Sequence, residues 1–140
     1  MKDTMKRQTG FTLIELIMVI VILGFLGVVA VPLYVNMSSD AAAANEIGVA
    51  GGIRSGILTF YSDPAHRVNG QPVFPTAAEV DAAAVGDCTD ANPCFTGVLG
   101  QGGITAHWKK LSATTWRSPV NGTNVWTYTS GNGTFMKTTV

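Results

Sequence analysis

Two patterns of apolar positions divide the chain. Residues 16–35 run for twenty positions without a charged side chain. As a helix, that stretch reaches about 30 Å, the thickness of a bilayer core. Beyond it the pattern becomes periodic. Ala50, Ile53, Ile57, Leu58 and Tyr61 recur at helical spacing and define one apolar stripe, with Arg54 and Ser55 off it. Ser38–Asp40 and Asn45–Glu46 read as the positions that bring the chain into water. The spacing therefore predicts one long helix ending near Ser62, where Pro64 pushes Asp63 out of the helical region. Pro32 removes a helical hydrogen bond, at roughly 3 kcal/mol in a helix interior, and with Gly24 it marks an expected kink. Gly48, Gly51, Gly52 and Gly56 each cost about 1 kcal/mol relative to alanine, and read either as a small-residue face along which another helix or sheet approaches closely or as a flexible helix stabilised by its surroundings.

After Asp63 the pattern is that of a small polar head. "DPAHRVNGQPVFP" reads as a surface loop. Thr76 followed by Glu79 is a capping-box signature, so a short helix is expected over 77–85 with Gly86 as its stop. From Ile104 onward, alternation replaces helical spacing. "TTWRSP", "VWTYTS" and "GTFMKTTV" are joined through Asn121-Gly122 and Asn132-Gly133, a strong hairpin signal. The reading is a three-stranded antiparallel meander with a fourth strand near 105–111, and with Trp116, Trp126 and Phe135 packed on the helical stripe. A long helix followed by strands makes the fold class α+β.

Composition sharpens this division. In 140 residues only 13% are charged and formal net charge is zero, with a mean hydropathy of +0.27. Lys2, Lys6 and Arg7 against Asp3 make the extreme N-terminus basic, the end that the positive-inside rule places in the cytoplasm. After Phe11, six Lys/Arg stand against eight Asp/Glu. Cys88 and Cys94, separated by the five residues of a turn-forming "TDANP", fit a small disulfide loop in an oxidising compartment, preferred over free thiols and over zinc. His66 and His107 lack acidic or cysteine partners at metal or triad spacing. No metal, cofactor or enzymatic activity is expected.

Glu15 stands out against this background. A carboxylate deep in lipid costs about 2.5–3.5 kcal/mol on insertion scales and usually marks function. In the same helix the next cation is Arg54, about 58 Å along the axis. The natural partner would be an amino terminus created by a cut just before Phe11. An ordinary secretory signal would instead discard its apolar core, and here no small-x-small site directly follows that core. A plain membrane anchor explains the length but not Glu15.

"KRQTGFTLIELIMVIVILGFLGVVAVPLY" resembles the N-terminal signal of the type IV pilin superfamily, which includes type IV pilins and type II secretion pseudopilins. The likeness rests on the basic leader, Gly10, Phe11, Glu15, Gly24 and Pro32. It implies cleavage after Gly10 by a prepilin peptidase and N-methylation of Phe11. It also implies that the Glu15 carboxylate meets a neighbour's amino terminus during assembly. The implied fold is pilin-like, with a leader over 1–10, a membrane and filament-core half over 11–35, an amphipathic half over 36–62 and a head over 63–140. The implied life history starts at the bacterial inner membrane and ends in an extracellular pilus or periplasmic pseudopilus. Partners would be further copies of the chain in a helical filament, the peptidase, and an assembly platform with its ATPase.

The expected function is structural, in adhesion, motility or DNA uptake. A pseudopilin is the alternative, lowered because nothing after Asp90 is acidic and the paired carboxylates of that group's calcium loop are not evident. A DNA-binding minor pilin is the third reading, resting on a candidate basic-aromatic patch of Trp108, Lys109, Lys110 and Arg117, with Trp116 beside it. A solvated strand face is the preferred account of those residues, so nucleic acid is not an expected partner. Asn36, Asn121 and Asn132 open N-x-S/T triplets, two of which are the hairpin turns themselves.

Overall fold

A computed structural model describes residues 10–120 and 122–139. The leader residues Lys2, Asp3, Lys6 and Arg7, and Asn121 of the first hairpin turn, lie outside the described residues, as does the side chain of Asn36. The chain divides into two compact units, Met1–Ser38 and Ser39–Val140. One helix, α1, spans Leu13–Ser62 and contributes to both.

Within the first unit, α1 carries its apolar side chains outward on every face, Leu13 through Val31 among them. The helix is assigned continuously through Pro32. Gly24 and Gly27 have nothing within van der Waals reach of a would-be Cβ.

The second unit is built on residues 39–62 of α1. The helix stops at Ser62, and Asp63 turns extended (φ −71°, ψ 122°), its carboxylate accepting from the Ala65 amide at 2.8 Å to cap a 3₁₀ turn, Pro64–His66. The stop before Pro64 is thus as expected. The loop after it holds a small hairpin, β1 (Arg67–Val68) and β2 (Gln71–Pro72), turning at Asn69-Gly70 with both residues at positive φ. That Asn-Gly pair carried the same hairpin signal as the later ones.

The short helix α2 is Ala77–Val80, begun by the full Thr76–Glu79 capping box. It ends five residues earlier than the sequence suggested. Asp81 is extended (φ −153°) and buried, because its carboxylate is bonded inside the core. Gly86 is no helix stop but opens β3 (Gly86–Asp87). The five-stranded antiparallel sheet then adds β4 (Lys109–Lys110), β5 (Thr115–Arg117), β6 (Asn124–Thr129) and β7 (Thr134–Thr139), in the order β3-β4-β5-β6-β7. The meander and the fourth strand are present, the latter only two residues long, and β3 adds a fifth.

Ala50, Ile53 and Ile57 pack with Val80, Phe95, Trp108, Trp116, Trp126, Tyr128 and Phe135 in one core. Two positions of the helix pattern are corrected. Leu58 is off the stripe and 60% exposed, since it falls one residue past the buried Ile57. Glu46 is not in water but 2% exposed, four residues before Ala50 on the buried face. The glycine face is also narrower than expected. A Cβ at Gly56 would lie 2.0 Å from the Val98 carbonyl oxygen, and one at Gly52 would touch Leu99, whereas Gly48 and Gly51 look into open space.

Candidate functional site

The first turn of α1 is closed by a second capping box. The Thr12 amide and hydroxyl donate to Glu15 Oε2 at 2.9 and 2.8 Å, and the Glu15 amide donates back to Thr12 Oγ1 at 3.4 Å. "TLIE" here and "TAAE" at Thr76–Glu79 carry the same signature for the same reason. The side chains at the first and fourth positions satisfy amides that the helix leaves unbonded. Thr12 is therefore a residue that sequence reasoning missed, though the signal that found Thr76 was present. In the isolated chain the Glu15 carboxylate is served by its own helix start. Gly10 and Phe11 immediately precede this cap and are exposed.

Two charged clusters lie inside the second unit. Asp81 accepts from Trp116 Nε1 at 2.6 Å and from the Ala83 amide at 2.9 Å, and its Oδ2 lies 3.5 Å from Lys110 Nζ. Lys110 Nζ also donates to the Asp81 and Ala83 carbonyls at 2.6 and 2.9 Å. Both charges are buried and both are fully bonded, which is the condition under which buried ions are tolerated. Glu46 accepts from Trp126 Nε1 at 2.6 Å and Asn124 Nδ2 at 3.0 Å, with Lys137 Nζ 3.8 Å away. Arg54 Nε donates to the Phe135 carbonyl at 2.9 Å, and its guanidinium lies 5.5 Å from the Trp126 ring centroid.

These bonds divide the residues of the candidate basic-aromatic patch between core and surface. Strand alternation sends Lys109 and Arg117, cross-strand partners, to the exposed face. It sends Lys110 and Trp116 into the core, where Trp108 is also buried. Lys109 is moreover paired with Asp87 at 3.2 Å. His66 pairs with Asp63 at 3.4 Å and lies tilted against Phe60, with ring centroids 3.8 Å apart, and His107 is exposed. Among the described residues, no group of three or more His, Cys, Asp or Glu side chains is placed to hold a metal.

Cys88 and Cys94 form a disulfide with Cα atoms 5.4 Å apart. Asn92 braces the loop. It accepts from the Ala84 amide at 2.9 Å and donates to the Ala84 and Asp87 carbonyls at 3.1 and 3.4 Å.

Comparison with known proteins agrees with this architecture. Residues 5–31 match the prokaryotic N-terminal methylation motif. A type IV narrow pilus major component of Thermus thermophilus is 35% identical over 121 residues, 85% of this chain and 78% of that protein. A type IV major pilin of Neisseria gonorrhoeae is 30% identical over 121 residues, and the match spans only 56% of the gonococcal protein's length. A fimbrial protein of Eikenella corrodens is 33% identical over 103 residues, 65% of this chain and 66% of its own. No solved structure gives a significant match. The chain belongs to the type IV pilin superfamily.

Proposed function

We propose that this chain is a structural subunit of a type IV pilus-like filament. The observation that carries the reading is the exposed apolar surface of residues 13–31 on a helix of membrane-spanning length. A continuous apolar surface of that size needs lipid or other helices to cover it. A membrane anchor that later becomes the helical core of a filament supplies both in turn. The likeness to major pilins supports the role of filament subunit.

In this reading a prepilin peptidase cuts between Gly10 and Phe11 and Phe11 is methylated. The new ammonium then lies one residue from the Thr12–Glu15 cap. In the bundle, Glu15 exchanges part of that cap for a neighbour's ammonium, which fixes axial register because the pair closes at only one offset. Gly24 to Pro32 is the weakest stretch of α1, where a missing amide and two glycines let the helix bend or loosen. The head, residues 63–140, lies at the filament surface, and the platform and ATPase belong to other chains.

Purified filaments analysed by intact mass are expected to contain a subunit that begins at N-methylated Phe11. Glu15→Ala is expected to lower filament yield or disturb stagger. Met1 still attached in filaments, or Glu15→Ala filaments of normal yield and stagger, would refute the reading.

A further inference from the structure

The two edges of the head sheet are β3 and β7, and beside each lie exposed apolar side chains and a charge that makes no ion pair among the described residues. At the β7 edge, Arg54, Leu58 and Met136 line a groove of about 320 Å³. Leu58 is 60% and Met136 61% exposed. Arg54 spends its Nε on the Phe135 carbonyl, and among the described residues its two terminal nitrogens make no hydrogen bond or ion pair. Lys137 adds little net charge there, since it lies 3.8 Å from Glu46. At the β3 edge, Val85 is 65% exposed. Asp87 and Lys109 cancel each other, and among the described residues Asp90 makes no ion pair. Val85 and Asp90 sit on one braced loop, held by the disulfide and by the Asn92 bonds to Ala84 and Asp87.

We propose that these edges are the two halves of one contact between copies of this chain. Val85 of one copy enters the Leu58–Met136 groove of the next, and Asp90 meets the free end of the Arg54 guanidinium. One side offers an arginine and the other an aspartate, neither in an ion pair among the described residues, each beside apolar surface. That complementarity selects a second copy as occupant. The contact is heterologous, joining different patches, so it repeats from copy to copy in an open array instead of closing as a dimer. It rests on the filament reading above and specifies how adjacent heads are matched. It also gives the Cys88–Cys94 loop a role, because a charge held on a rigid knob loses less freedom on docking than one on a floppy loop.

The test uses full-length chain assembled in its host. Asp90→Arg, a surface change, is expected to reduce filament yield about tenfold or more by placing like charges together. The double change Asp90→Arg with Arg54→Glu is expected to restore it. Independently, filaments carrying Val85→Cys and Met136→Cys together are expected to give oxidised ladders of covalently joined subunits, and filaments with either change alone are not. Unchanged yield in Asp90→Arg, no rescue by the double change, or no ladder from intact filaments overturns the contact and leaves the filament reading standing. Absence of filaments from the unaltered chain overturns both.

Discussion

Asp81 and Lys110 pose the sharpest energetic question at the scale of single residues. Each is a charge removed from water, and each is tolerated only because the other, two carbonyls and the Trp116 indole complete its bonding. Asp81→Ala should therefore cost about 3–5 kcal/mol, the range for stranding a buried charge. Urea unfolding of the detergent-solubilised chain, followed by the fluorescence of its three buried tryptophans, measures it. Tyr128 poses a milder one. Its hydroxyl donates to the Pro75 carbonyl at 2.6 Å, and burial, with the Glu79 carboxylate second, pushes the phenol up to about 12. A raised folded value means that the neutral phenol's contribution is complete below its unfolded value of about 10 and is lost as pH climbs from there through 12. A spectrophotometric titration should accordingly show a late tyrosine ionisation, and Tyr128→Phe should abolish that late step at a stability cost of about 1 kcal/mol. Glu79 behaves oppositely. The Thr76 amide, then its hydroxyl, lower its carboxyl, so the cap contributes above the unfolded value of about 4.3 and fades as pH falls through the lower folded one.

At the scale of elements, the helix glycines separate by what faces them. Gly51→Ala places a methyl in open space and should stabilise α1 by about 1 kcal/mol through helix propensity. Gly56→Ala places the same methyl 2.0 Å from the Val98 carbonyl oxygen, so the loop over 97–100 must retreat and the sign reverses. Paired thermal melts of the two variants check both signs. The sequence alone listed the four glycines together, because propensity is a property of the residue and approach distance is not. The same limit explains the other departures. Long, strongly periodic elements were legible: α1, its stop before Pro64, and the β5–β7 meander with Trp116, Trp126 and Phe135 inside. Glu46 and Lys110 were misplaced because charge alone assigned them to water, although each sits in register with buried neighbours. Two-residue strands such as β3 have too little alternation to read. The Thr12–Glu15 cap carries the same Thr-x-x-Glu signature as Thr76–Glu79, so Glu15 has a local partner as well as any distant one.

On the scale of the whole molecule, the Cys88–Cys94 bridge closes a short loop, and chain-entropy reasoning gives it less than the roughly 3 kcal/mol of a fifteen-residue loop. Cys88→Ser with Cys94→Ser should thus leave the head folded, with a melting midpoint lowered by only a few degrees. Trp108 and Trp116 should stay buried, as quenching by acrylamide would report.

Glu46 and, eight residues further along α1, Arg54 tie the helix to the sheet, and both grip the β6–β7 hairpin. A tug delivered along the helix from its N-terminal side reaches the acid before the arginine. Resistance to mechanical extraction is then a property of where those two ties attach, with the acid taking load ahead of the arginine.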